Sequence, residues 1–180
     1  MEQTRIRLVP QPMSVAVLED LESKGIVRRF APMPEVFRDA PGRNAVATAY
    51  ASDAQYGPHK LICVSVQTLQ VRLSYHPDNE EILIPAQGAV RPAWFVACHL
   101  APDEIRRRDR EGTLRADDFT CASLYPAPRG AEMFTVCAGA AHCEVTRSGP
   151  EPLGYFYVTE SRDLTSDRID FERTVVEVAE

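Results

Sequence analysis

The stretch "SYHPDNEEILIPAQG", residues 74–88, places a histidine, His76, four and five residues ahead of two carboxylates, Glu80 and Glu81. Pro77, Asp78 and Asn79 force a turn between them, and an apolar run follows up to Gly88. A histidine closing one strand and a carboxylate opening its hairpin partner would lie close across the ladder. Together they offer one nitrogen and one oxygen to a borderline divalent metal such as zinc, manganese, nickel or iron. Adjacent residues of a strand point to opposite faces, so only one of Glu80 and Glu81 can face inward. The residues leave open which one does. They also leave open a plainer reading, in which His76 caps a hairpin and bonds Asp78 or a backbone carbonyl.

The remaining reactive groups are sparse. His59 lies between Pro58 and Lys60 and reads as a loop residue, and His99 ends the strand-like "AWFVACH". Trp94 and Phe95 read as core. Cys137 and Cys143 flank a glycine turn near His142, yet nothing around them suggests an electropositive, exposed thiol. The chain contains no G-x-S-x-G elbow, P-loop or G-x-G-x-x-G, which removes the usual signatures of nucleophilic and nucleotide chemistry.

These residues must be positioned by short strands. Residues 14–24, "SVAVLEDLESK", predict a helix capped by Ser14, with Val15, Leu18 and Leu21 at helical spacing and Gly25 as the stop. Prolines at 32, 34 and 41 mark an irregular continuation, so residues 1–44 are expected to be an arm packing on a main domain of residues 45–180. That domain reads as a series of strands: "NAVATAYA", the long alternating "KLICVSVQTLQVRLSYH", "EEILIPAQG", "AWFVACHL", "FTCASLYP", "AEMFTVCA", "AHCEVT" and "LGYFYVTES". One helix interrupts it, "PDEIRRRDREG", started by Pro102 and stopped by Gly112. The tail, "DRIDFERTVVEVAE", reads as a closing strand. Strands at such spacing without βαβ alternation predict an all-β sandwich or barrel with a few short helices.

Composition narrows the function classes. The formal net charge is −6, and the one basic cluster, Arg106 to Arg108 with Arg110, is diluted by Asp103, Glu104, Asp109 and Glu111. It reads as a solvated helix face, so no nucleic-acid partner is expected. No apolar run reaches the roughly 20 residues of a membrane span. The first residues lack a secretory apolar core, so the chain is expected in the cytoplasm and off the membrane. The five cysteines are odd in number and widely spaced, which argues against a disulfide framework and a zinc ribbon and for buried free thiols.

The spacing His76, Glu81, Gly88 resembles the first metal-binding motif of the cupin superfamily, with Ser74 where the family has its first histidine. "PRGAEM" is similar to part of the second motif, with Pro128 and Gly130 in place and Met133 where a histidine stands in the family. The resemblance implies a cupin-like jelly-roll β-barrel and a divalent metal held by His76, Glu81 and His142, the last reaching the pocket from another strand. The run "LQVRLSYHPDNEEILIPAQG" with "AWFVACHLAPDEI" is most similar to small bacterial proteins of the ureidoglycolate lyase type. That implies a lyase acting on a small hydroxy acid, in a homodimer. Isomerase or epimerase chemistry on a small carbohydrate is the alternative, as is a non-catalytic ligand-binding cupin that has lost its metal, favoured by Ser74 and Met133. In either enzyme Glu80 or Glu81 could serve as general base, since burial in an apolar barrel pushes a carboxylate's pKa upward. Arg72, two residues before Ser74 on the same strand face, could pair with a substrate carboxylate.

Overall fold

The computed structural model describes residues 3–29, 55–56, 59–64, 69–78, 80–85, 93–124, 134–146, 155–159 and 166–179. The irregular continuation at 30–44, "NAVATAYA", Gly88, Pro128, Gly130 and Met133 lie outside these residues. The described chain is mostly β. It runs β1 (Thr4–Leu8), β2 (Gln11–Pro12), α1 (Val15–Ser23), β3 (Val27–Arg29), β4 (Gln55–Tyr56), β5 (His59–Val64), β6 (Ser74–Tyr75), β7 (Glu81–Pro85) and β8 (Ala93–Cys98). After α2 (Pro102–Glu111) come β9 (Phe119–Ser123), β10 (Phe134–Val136), β11 (His142–Thr146), β12 (Tyr155–Thr159), β13 (Asp167–Arg168) and β14 (Thr174–Val178).

Both helices form where their boundary residues predict. The Ser14 hydroxyl accepts from the Val17 amide at 3.1 Å, and α1 buries Val17, Leu18 and Leu21, with Val15 only half-buried. Helix α2 begins at Pro102, carries Asp103 and Glu104 in its first turn and Arg108 and Arg110 in its last, as the helix dipole favours. It ends at Gly112, whose φ of 68° is the left-handed cap that glycine adopts without strain. The arginines are tied to carboxylates: Arg106 to Asp103, Arg107 to Glu104 and Glu111, and Arg108 to Glu104 and Asp118.

The strands make two six-stranded sheets and one separate pair. The first sheet has the order β3-β10-β7-β12-β5-β4, the second β13-β6-β11-β8-β9-β2, and β1 pairs with β14 in parallel. Apart from the parallel β2–β9 contact, the pairings within both sheets are antiparallel. The described part of the N-terminal segment is therefore woven into the sheets through β1, β2 and β3. The long alternating run from 60 to 76 is not one strand: β5 belongs to the first sheet and β6 to the second. Between them Gln70 bridges to Glu177 on β14.

The centre of the second sheet, β8 with most of β9 and β11, is buried on both faces. One face meets the first sheet through a core that includes Phe95, Ala97, Ala122, Leu83, Phe134 and Val136, closed by α1. There the Phe95 and Phe134 rings meet edge to face at 5.2 Å. The opposite face packs Trp94, Val96, Cys98, Cys121, Cys143 and Val145 against β1, β14 and Ile105 of α2. That is why all six residues of β8 are buried, where a one-sided antiparallel strand would alternate. Among the described residues no helix is long and apolar enough to cross a membrane.

Candidate metal centre

Four polar side chains converge where the inner faces of the two sheets meet. Glu81 opens β7 of the first sheet, and its inward neighbour two residues on, Leu83, is fully buried in the core between the sheets. His142 and Glu144 are two apart on β11 of the second sheet, so they share a face, with Cys143 between them on the other. His76 follows β6, the strand beside β11, and its carbonyl accepts from the Gly139 amide at 2.7 Å. All four are buried in an apolar setting: His76 is 8% exposed, Glu144 5%, His142 3% and Glu81 2%.

One atom, Glu81 Oε2, stands at the centre. It lies 2.7 Å from His76 Nε2 and 3.2 Å from His142 Nε2. Glu144 Oε1 lies 4.0 Å from the same His142 nitrogen. The Phe95 ring, on the residue paired with Glu144 in β8, covers His142 at 5.9 Å. His142 Nδ1–H donates to the Ala140 carbonyl at 3.0 Å, and this bond fixes the ring. With Nδ1 protonated, a neutral His142 turns the Nε2 lone pair towards Glu81 and Glu144. Two acceptors facing one another repel, so this nitrogen must hold either a proton or a cation.

The electrostatics without a cation favour the proton. Burial opposes charge on His142, but the hydrogen bond and charge of Glu81, helped by Glu144, raise its pKa to about 9. Burial likewise pushes Glu81 up, but the hydrogen bonds from His142 and His76 outweigh it and hold the carboxyl below its ordinary range. The expectation that burial would leave this carboxylate with a raised pKa is thus corrected: two imidazoles on one oxygen win over desolvation. Glu81 is an anchored anion and a poor proton shuttle.

Donor types and distances fit a divalent cation. Glu81, His142 and Glu144 could hold a metal ion: one ligand atom from each lies within 4.8 Å of the others. His76 Nε2, 2.7 Å from Glu81 Oε2, lies beside this group. Imidazole nitrogens with carboxylate oxygens are the set that borderline first-row divalent ions accept. The His142–Ala140 bond is the kind of outer contact that orients a ligating histidine.

The structure brings His76, Glu81 and His142 together and sorts the remaining residues. The hairpin expected between His76 and Glu81 does not form. Strand β6 belongs to the second sheet and β7 to the first, so the two side chains meet across the core and not across a ladder. Glu80 precedes β7 and points away, paired with Arg28 at 2.6 Å. Arg72 is exposed and borders a surface groove outside the cluster. Strand β6 is only two residues long, and Arg72 lies before it, between Val71 and Leu73, whose side chains are buried in the core against β14. Ser74 is half-buried and sits directly opposite His142 in the ladder. His99 closes β8 and bonds Thr120 Oγ1 at 2.6 Å. Glu144 is the member that the residue-by-residue reading missed. Its signal was the H-x-E alternation of "HCE", which puts both polar groups on one face of a strand.

The thiols stand apart from the centre. Cys98, Cys121 and Cys143 are free and buried in the opposite core, and burial pushes the thiols of Cys98 and Cys121 up to about 12. Cys121 and Cys143 both pair with Val96, from opposite sides. Two strand spacings of about 4.8 Å separate them, beyond the roughly 7 Å that a disulfide can bridge.

Compared with protein-family models and with curated proteins, the chain finds no match in either.

Proposed function

We propose that this chain is a metal-dependent enzyme of cupin-like jelly-roll fold, a lyase acting on a small hydroxy acid of the ureidoglycolate kind. The observation that carries the reading is the convergence of Glu81 from one sheet with His142 and Glu144 from the other, beside His76. The order of consecutive strands supports the fold. Strands β5, β12, β7 and β10 are neighbours in one sheet and β6, β11, β8 and β9 in the other. Between β5 and β12 the described strands thus pass from one sheet to the other six times, with β8 and β9 the successive pair that stays in one sheet, a winding expected of a jelly roll. His76, Glu81 and His142, with Glu144 alongside, would hold the divalent ion, whether zinc, manganese, nickel or iron. When bound, it would supply Lewis acidity towards a substrate carbonyl or hydroxyl.

The chain's own residues would do the rest. Glu81 anchors the two imidazoles, and Phe95 with the surrounding core excludes water. Glu144 is the carboxylate placed to move a proton. It would take the hydroxyl proton as the carbon–nitrogen bond breaks and the new carbonyl forms, and the departing urea nitrogen would receive a proton in return. Carbohydrate isomerisation would use the same carboxylate on a different substrate. The protein is expected to work as a homodimer, for which equilibrium sedimentation at micromolar concentration should give twice the chain mass.

Elemental analysis of untagged protein, purified without chelator, tests the metal. About one equivalent of a first-row divalent ion per chain is expected, lost in His142→Ala and in Glu81→Gln. Turnover of ureidoglycolate by loaded protein, abolished in Glu144→Gln, tests the reaction, with metal content measured in the same variant to separate a lost base from a lost ligand. One observation favours a second reading: Glu81 Oε2 already satisfies both imidazoles at 2.7 and 3.2 Å. The cluster would then be a polar cross-link in a non-catalytic binding protein, and no metal would be found even after loading.

A further inference from the structure

Arg72, which the polar cluster leaves out, borders a groove of about 280 Å³ where the edge formed by β6 and β13 meets β14. Gln3, Arg168, Asp170 and Thr174 share its walls. Three observations describe what such a groove would hold.

The first is charge. Arg106, Arg107 and Arg108 of α2 are each held by a carboxylate, whereas Arg72 has no ion pair among the described residues. Among the same residues Arg168 pairs with Asp170 alone, at 3.7 Å and beyond hydrogen-bonding reach. Two guanidinium groups against one carboxylate leave a positive locus on a chain of net charge −6.

The second is an unmet hydroxyl. Thr174 is 2% exposed, and its Oγ1 meets no hydrogen-bond partner. A buried hydroxyl in this state is a polar group at the edge of the groove that the fold leaves unmet.

The third is rigidity. Val71 N–H bonds the Val176 carbonyl at 2.8 Å and Ile169 N–H bonds the Leu73 carbonyl at 2.9 Å. Both guanidinium-bearing segments thus stand on hydrogen-bonded backbone, and binding there would order little that is not ordered already. The volume suits a molecule of metabolite size and is too small for a helix or a nucleic-acid strand.

We propose that this groove is a binding site for a small oxyanion, a molecule carrying one carboxylate or phosphate group, gripped by Arg72 with Arg168 beside it and Thr174 at the wall. The planar guanidinium fork matches two oxygens of either group. The site is distinct from the metal cluster and does not rest on it. The backbone of Arg72 hydrogen-bonds the Cys143 thiol, whose side chain is on the face of β11 opposite His142.

The test is a titration of the full chain, followed by amide NMR, with sodium phosphate and separately with sodium acetate at constant ionic strength. Saturable shifts confined to residues 70–72, 168–171 and 174–175 are expected with at least one of them. Saturation by phosphate alone assigns a phosphate-bearing ligand, and saturation by acetate assigns a carboxylate. Arg72→Ala should weaken binding about tenfold or more, with Arg72→Lys retaining part of it. Thr174→Val should weaken it less, with the fold checked by the unchanged remainder of the spectrum. Shifts that stay linear in anion, spread over the whole surface, or persist unchanged in Arg72→Ala would overturn the proposal.

Discussion

His142 is held at both ring nitrogens, by the Ala140 carbonyl on one side and by Glu81 on the other. In the metal-free protein this makes its charge a stabilising element with a defined pH window. Its folded pKa is raised, from 6.5 to about 9. The stabilisation is therefore complete below the lower value and is lost as pH rises through the upper one. Glu81 works in the other direction. Its folded pKa is lowered from 4.5, so its contribution is present above that value and is lost as pH falls through the depressed one. Urea denaturation of metal-free protein should give greatest stability between these limits and a decline towards pH 9.5. In His142→Gln the alkaline decline should vanish. At this scale His76 and Glu81 were legible from residue type and spacing, and His142 only through the family resemblance. The choice between Glu80 and Glu81 was not, because it depends on which residue starts β7, and a one-residue shift of a strand start reverses both faces. Glu144 was legible only through the strand it shares with His142. The groove that Arg72 borders was not legible, because its other walls come from residues 168–171 and from β14, far away in sequence.

Among the elements, β8 carries the largest structural burden. It lies between β9 and β11, and Phe95 fills the core against Phe134 while covering His142. Phe95→Ala should cost about 3–5 kcal/mol in urea denaturation, as large cavities in a dry core do, and should loosen the metal as well. Gly112→Ala tests the α2 cap. At φ 68° an alanine is strained even though the nearest atom to its Cβ, in Arg173, is 3.9 Å away, so a loss of about 1 kcal/mol is expected. Asp109 gives α2 a second role, for its carboxylate accepts from the Glu172 amide at 2.6 Å and the Arg173 amide at 3.3 Å, fixing the entry to β14. Both helices were legible because caps, prolines and glycines are local signals. The sheet partnerships were not. A run such as "KLICVSVQTLQVRLSYH" alternates throughout, yet its two ends pair in different sheets, and pairing is decided by distant segments.

On the scale of the whole molecule, the described residues form three layers with the second sheet in the middle: the first sheet on one face, and β1, β14 and α2 on the other. The thiols follow this layering. Of the four cysteines whose side chains are described, Cys98, Cys121 and Cys143 lie inside a layer and Cys137 is half-buried. Burial raises all four thiol pKa values, and the three in the dry core should be inert. With Cys63 replaced by serine, native protein should therefore release at most one equivalent of thionitrobenzoate in minutes. The other three thiols should react only after denaturant is added. The mostly-β character was legible from strand spacing and the absence of βαβ alternation. The double burial at the centre of the second sheet was hinted only by the unbroken apolar run "AWFVAC", which a short buried helix could equally have produced.

The convergence of Glu81 from one sheet with His142 and Glu144 from the other has a consequence for the order of assembly. Neither sheet alone holds the donor set, so a cation gains nothing from the chain until the two sheets have docked. It can therefore act only as a late clasp and not as a template. Bound metal should leave the rate of refolding from urea unchanged and slow the rate of unfolding, the signature of contacts absent from the folding transition state. A chain that emerges without its ion would be complete in shape and short only of permanence.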